Sequence, residues 1–165
     1  MRKAVALLTA LVAWLALSAP AGATELLQVA VTAAQTAQVS PSYQFRSSPG
    51  QSGLPTNIAL QGTFTYGSGG TSADAWMQTS LDGGSTWTDV ANFHFTTASA
   101  RFQYNLSSAT PVTTEYTPTD GTLAANTAKD GLIGPLWRVK YTTVGTYAGT
   151  TLRIDAFSNG IVPAS

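Results

Sequence analysis

The chain has 165 residues, enough for one domain with a real core, and its formal net charge is zero. It contains no cysteine, which excludes disulfides, thiolate metal sites and a cysteine nucleophile. Its basic residues are scattered, with no run that could follow a phosphate backbone, which argues against a nucleic-acid partner.

The first 23 residues read as an export leader. Arg2 and Lys3 precede an apolar run from Ala4 to Leu17, and the small triplet Ala21-Gly22-Ala23 follows. This is the layout of a secretory signal peptide, cut after Ala23 so that the mature chain begins at Thr24. The run is about 14 residues, short of the ~20 that a spanning helix needs. A membrane contact is therefore expected only through this leader. From Thr24 onward, six basic residues against eight acidic ones leave a charge of −2.

Residues 24–57 are expected to hold one strand and then an arm. From Val39 to Thr56 the chain is rich in Pro, Ser and Gly, and Pro breaks ladders while Ser/Gly runs fill no core. This arm is expected either to contact a neighbouring subunit or simply to link two parts of the chain. On the first view, deleting Pro41 to Pro55 leaves a folded domain that no longer assembles.

Residues 58–165 are expected to form the main β domain. "IALQGTFTY" places Ile58, Leu60, Phe64 and Tyr66 on one face and Gln61, Thr63 and Thr65 on the other. "DAWMQTSL" sets Trp76 opposite Met77 and Leu81. "WRVKYTTV" turns Trp137, Val139 and Tyr141 inward and Arg138 and Lys140 to water. "TLRIDAF" opposes Leu152 and Ile154 to Arg153 and Asp155. Turn chemistry divides these runs at "YGSGG", "DGGS", "TDG", "KDG" and "SNG". The polar stretch from Thr110 to Asn126 is a second long excursion, with one short helical turn near Leu123 to Ala128. No internal repeat of 20 to 50 residues suggests a propeller or solenoid. The expectation is an all-β, antiparallel sandwich or jelly-roll-like domain of seven to nine short strands.

Ser80-x-Asp82-x-Gly84-x-Thr86-Trp87 matches the five fixed positions of the Asp-box motif, S-x-D-x-G-x-T-W, found in sialidases and in many unrelated β proteins. Its physics is local: Asp82 can accept from backbone N–H groups, Gly84 can take a left-handed angle, and Trp87 can fold beneath the turn. One box with four arginines in the whole body cannot supply a sialidase site. The box is read as a structural hairpin device.

The remaining residues give no catalytic constellation. His94, the sole histidine, alternates with Phe93 and Phe95 and so faces away from both. Nothing in the sequence fixes it in a Ser–His–acid triad. Asp74, Asp82, Asp89 and Asp155 are the carboxylates from which a glycosidase pair could be drawn. Asp82 belongs to the turn, and the other three read as solvated strand positions. Asp120 and Asp130 read as turn caps. Loop carboxylates show no calcium-ligand spacing, and Asn105-Leu106-Ser107 spells an incidental glycosylation acceptor. No enzyme activity, cofactor or metal is expected.

From Leu60 to Phe157, the pieces "YGSGGT", "SLDGGSTW", "NFHFTTAS", "DGTLAANTA" and "YTTVGTYAGTTLRID" resemble small β-rich proteins encoded in bacteriophage and prophage structural gene clusters. The resemblance implies a non-enzymatic virion component, either a capsid decoration protein or a neck or tail accessory. Its partners would be other virion proteins and copies of itself. Phage capsid parts assemble in the cytoplasm and do not normally carry a cleavable export signal, so the leader departs from the pattern. It supports an alternative: a secreted or periplasmic carbohydrate-binding domain, with Tyr66, Trp76 and Tyr104 as the rings that would stack on a glycan.

Overall fold

The structure is a computed structural model that describes residues 22–47, 53–158 and 160–163. The leader from 1 to 21 and the middle of the expected arm, 48–52, lie outside the described residues. Twelve strands are present among the described residues. In chain order they are β1 Thr24–Val31, β2 Gln35–Val39, β3 Tyr43–Arg46, β4 Asn57–Thr65, β5 Ser68–Gly69 and β6 Ser72–Ser80. They continue as β7 Thr88–Phe95, β8 Ala100–Ser107, β9 Leu136–Val144, β10 Tyr147–Ala148, β11 Thr150–Phe157 and β12 Gly160–Pro163.

The fold is all-β and antiparallel. One sheet, sheet A, has the order β1-β11-β4-β8; the other, sheet B, has the order β12-β3-β9-β6-β7, with β2 also on β9. A two-stranded ribbon of β5 and β10 closes one end. The two sheets form a sandwich because each strand turns one row of apolar side chains inward. β4 buries Ile58, Leu60 and Phe64, β11 buries Leu152, Ile154 and Ala156, and β9 buries Trp137, Val139 and Tyr141. These are the rows that alternation predicted.

At Gly62 the sheets come too close for a side chain. A Cβ there would meet Cδ1 and Cγ of Phe93, on β7 of the opposite sheet, at 2.8 Å. Phe95 stacks on Phe64 across the same gap, with ring centroids 5.2 Å apart. The glycine that interrupts "LQGTF" is thus the notch into which the second sheet's aromatics fit.

The expected arm is corrected in its first half. Residues 35–39 and 43–46 are strands on β9, and Ser40 ties the step between them by donating its backbone N–H to Val139 O at 2.8 Å. Phe45 is buried and stacks on Trp137 at 4.9 Å. Such a pair is worth about 0.5–1.5 kcal/mol beyond the area it buries. The Ser/Pro composition concealed two short strands whose single large apolar residue is their anchor. Deleting Pro41 to Pro55 would remove β3 and Phe45 from the core. The sandwich therefore does not begin at residue 58: β1, β2 and β3 belong to its sheets.

The second excursion has no regular strand between Ser107 and Leu136. In place of the short helical turn, Leu123 to Ala128 makes a tight turn with Asn126 at a positive φ of 53°. The stretch then docks along the free edge of β7, through Asp89 N to Thr119 O at 2.8 Å, Asn92 N to Thr127 O at 2.9 Å and Lys129 N to Val90 O at 2.8 Å.

Candidate functional site

The turn from Ser80 to Trp87 joins β6 to β7. Ser80 Oγ donates to Asp82 Oδ1 at 2.9 Å and accepts the Gly84 N–H at 2.9 Å. Asp82 accepts the Thr86 N–H on Oδ1 at 2.8 Å and the Thr86 hydroxyl on Oδ2 at 2.7 Å. Trp87 Nε1 donates back to Gly84 O at 3.0 Å, so the ring lies under the turn, and Gly84 holds a left-handed φ of 92°. The Thr86 backbone N–H, the Thr86 hydroxyl and Ser80 together lower the Asp82 carboxyl from 3.8 to about 2. Every polar group that could do chemistry is used in closing the hairpin. Leu81, expected to face Met77's side, is instead exposed at the start of the turn.

Beneath the excursion, the outer face of sheet B carries a dense polar cluster. Asp89 is fully buried and accepts the N–H groups of Gly121, Thr122 and Leu123 at 2.8 to 3.1 Å, together with Gln78 Nε2 at 2.7 Å. Gln78 also donates to Asp120 Oδ1 at 2.7 Å and accepts from Arg138 Nε at 2.8 Å. Lys140 pairs with Asp120 at 2.9 Å, and the Arg138 guanidinium lies 4.2 Å from the Trp87 ring centroid. Burial raises the Asp120 carboxyl, but Gln78, Lys140 and Arg138 outweigh it and hold the group below its usual range. Burial pulls Arg138 down despite Asp120 and Asp89. Burial, and then the Asp89 charge, push the Tyr116 hydroxyl well up. This arrangement fastens a loop to a sheet edge.

Several sequence expectations change here. Asp89 and Asp155 are buried, not solvated; Asp155 is held by Arg153 through three contacts of 2.8 to 2.9 Å. Arg138 and Lys140 face the excursion and not open water. Asp130 caps as expected, accepting from Ser107 N and Gly131 N. Asp120 instead joins the cationic pair. The cue missed in the sequence lies at the end of the "TDG" turn, where the successive N–H groups of Gly121, Thr122 and Leu123 form the cradle that Asp89 fills.

His94 faces away from the core, and its Nδ1 lies 2.8 Å from Asp74 Oδ1. Among the described residues no Ser or Thr hydroxyl is hydrogen-bonded to that ring, so the third member of a triad is not assembled. Asp74, Asp82, Asp89 and Asp155 each serve different partners, and Asp155 lies on the other sheet. No three His, Asp or Glu side chains gather as a metal centre would require among the described residues.

The three aromatic residues expected to stack on a glycan are not brought together. Trp76 lies under the excursion, its Nε1 donating to Leu123 O at 3.0 Å. Tyr104 is half-buried against Phe93, with its hydroxyl donating to Asn92 O at 3.1 Å, and burial raises that hydroxyl. Tyr66 packs beside Phe64 and donates to Gly69 O at 3.0 Å.

Among the described residues sheet A ends in two edge strands, β1 at one side and β8 at the other. β8 ends the sheet, pairing only with β4 from Asn57↔Ser107 to Phe64↔Ala100. Among the described residues, the main chain from Ala100 to Leu106 makes no backbone hydrogen bond beyond that ladder. Arg101, Gln103 and Asn105 are exposed along it, and Phe102 is 38% exposed while stacking on Phe95. No protein-family model, curated protein or solved structure matches this chain.

Proposed function

We infer that the chain is a non-enzymatic structural protein of a phage particle, a capsid decoration or head/tail accessory protein, acting through contacts with copies of itself and other virion proteins. The observation that carries this reading is the edge of β8, uncovered among the described residues from Ala100 to Leu106. An edge strand offers a row of unpaired N–H and C=O groups, a template on which a neighbouring chain can add. Proteins that stay alone blunt such edges with lysines, prolines, bulges or covering loops. Among the described residues β8 has one charge, Arg101, and no lysine, proline, bulge or covering loop over Ala100–Leu106, although the same chain covers β7 from Asp89 to Asn92. Its one aromatic, Phe102, gives an incoming strand an apolar foothold, and the low charge of the body opposes no copy of itself.

The test uses the full chain in sedimentation velocity at rising concentration, together with peptide mass spectrometry of phage particles from the bacterium carrying the gene. The wild type self-associates and appears in particles, and Phe102→Lys abolishes both with an unchanged circular dichroism spectrum. A chain that is absent from particles overturns the reading.

A further inference from the structure

A separate feature lies on the outer face of sheet A. Two rows of side chains cross three of its four strands there, β11, β4 and β8. The register Asp155↔Gln61 and Gln61↔Gln103 makes one row, and Phe157↔Ala59 and Ala59↔Asn105 makes the next. Neighbouring strands are about 4.8 Å apart, so each row spans about 10 Å. Together they line a cleft of about 450 Å³. Ala59, Asn105 and Phe157 also line an adjoining cleft of about 310 Å³ that reaches Ser158.

The chemistry of this surface is specific. Phe157 is 41% exposed, and it stands on a floor of amides. Gln103 Nε2 donates to Gln61 Oε1 at 2.8 Å, which fixes the two amides side by side and leaves the Gln61 N–H and the Gln103 carbonyl outward-facing in capacity. The Asn105 side chain makes no hydrogen bond among the described residues. Ser158 is 8% exposed, and its hydroxyl, itself sealed from solvent, has no partner among the described residues, so the outward amides are the groups a ligand can reach.

Charge and backbone narrow the ligand. Among the described residues no Lys, Arg or His lines either cleft, and the one carboxylate, Asp155, is paired with Arg153. The nearest cations, Arg153 and Arg101, stand in the next row of the sheet, outside the lining, so an anion seated in the cleft gains no direct ion pair. The strands of the floor are laddered on both sides at β4 and β11, so an extended peptide could gain no main-chain pairing there. Fixed amides, an aromatic ring and no free charge instead suit a neutral polyhydroxylated ring: C–H groups lie on the Phe face and vicinal hydroxyls on the amides.

We propose that the Phe157 cleft binds a neutral saccharide, with Gln61, Gln103 and Asn105 as its hydrogen-bonding residues. The site shares Gln103 and Asn105 with β8 but uses the outer face of the sheet and not that strand's unpaired main chain, and it stands whether or not the chain is part of a particle.

The experiment is calorimetric titration of the full chain with cellohexaose, maltohexaose and chitohexaose in N-acetylated form, with an oligogalacturonate of equal length as the charged control. At least one neutral hexamer binds and the charged control does not. Phe157→Ala weakens that binding by about tenfold or more, the size expected for loss of an aromatic platform. Asn105→Ala lowers affinity while leaving the melting temperature unchanged, because its exposed amide makes no hydrogen bond among the described residues. Silence from all three neutral hexamers, binding of the charged control alone, or binding unaffected by both Phe157→Ala and Gln103→Ala overturns the proposal. A Phe157→Ala variant that changes self-association while no saccharide binds assigns the cleft to a second copy, and overturns it equally.

Discussion

The free edges of β7 and β8 face the same problem and are treated in opposite ways. β7 is roofed by the stretch from 108 to 135, and β8 is left bare over most of its length. Roofing needs an anchor, because a long polar loop has little apolar area with which to hold itself down. The anchor is Asp89, whose buried carboxylate collects three backbone N–H groups and the Gln78 amide. Among the described residues β8, like β1 at the other side of sheet A, has no such anchor and no such loop. Its outward main-chain groups therefore stay available for pairing.

The largest effect comes from breaking the roof. Asp89→Ala leaves three loop N–H groups and Gln78 without their acceptor in a buried place. The expected loss is on the order of 3 kcal/mol, since bonds to a charged group are the strong ones and orphaned buried donors are costly. The denaturation midpoint falls, and amide exchange at Asn92 and Lys129 rises towards that of open loops. Asp89→Asn keeps the shape but places N–H groups against N–H groups, so it falls between wild type and Ala. If exchange at those two amides is unchanged in Asp89→Ala, the loop is held by something else and the contrast with β8 loses its basis.

A smaller loss separates packing between the sheets from anchoring at their edges. Gly62→Ala forces a methyl to within 2.8 Å of the Phe93 ring and 3.1 Å of Phe95 Cζ. Overpacking of this kind costs about 1–3 kcal/mol. Because the contact is between sheets, the loss should appear as a lower global midpoint with the exchange pattern of the 119–129 stretch preserved. A Gly62→Ala protein that melts like the wild type would mean that the sheets can slide apart locally at no cost.

The two edges also show what a sequence can reveal. Strands β4, β9 and β11 were legible because one of their faces is core and the other is not, so apolar and polar residues alternate. In β7 the alternation fails: both faces are covered, one by sheet A and one by the loop, and residues Asp89 to Phe93 are all buried. Asp89 therefore reads as a surface strand residue until the N–H cradle of Gly121, Thr122 and Leu123 is brought to it from more than thirty positions away. β2 and β3 were hidden for a different reason. Each is short, and only Phe45 among their residues is fully buried, so composition pointed to a loop. The turn at Ser80–Trp87 was legible because all its bonds are local. The Phe157 cleft was not, since its two rows exist only once β11, β4 and β8 are in register.

The smallest effect concerns the other aspartate of this region, Asp82, seven residues before Asp89 and exposed where Asp89 is buried. Its carboxyl is held at about 2, below the ordinary 3.8, because the folded turn donates to the ionised form from Thr86 and Ser80. A depressed folded value means that the turn's stabilisation is complete above 3.8 and is lost as pH falls from there towards 2. Solvent screens so exposed a group, and the change in global stability across that window should be slight. The local readout is direct: the Asp82 carboxyl carbon titrates by NMR with a midpoint near 2, and Ser80→Ala and Thr86→Val each move it upward. A wild-type midpoint at the ordinary 3.8 would show that the hydrogen bonds of the turn do not persist in solution. It would leave the roof over β7 intact, because that roof is held by Asp89, by Asp120 and by the main-chain bonds at Asn92 and Lys129, and not by the hairpin that precedes it.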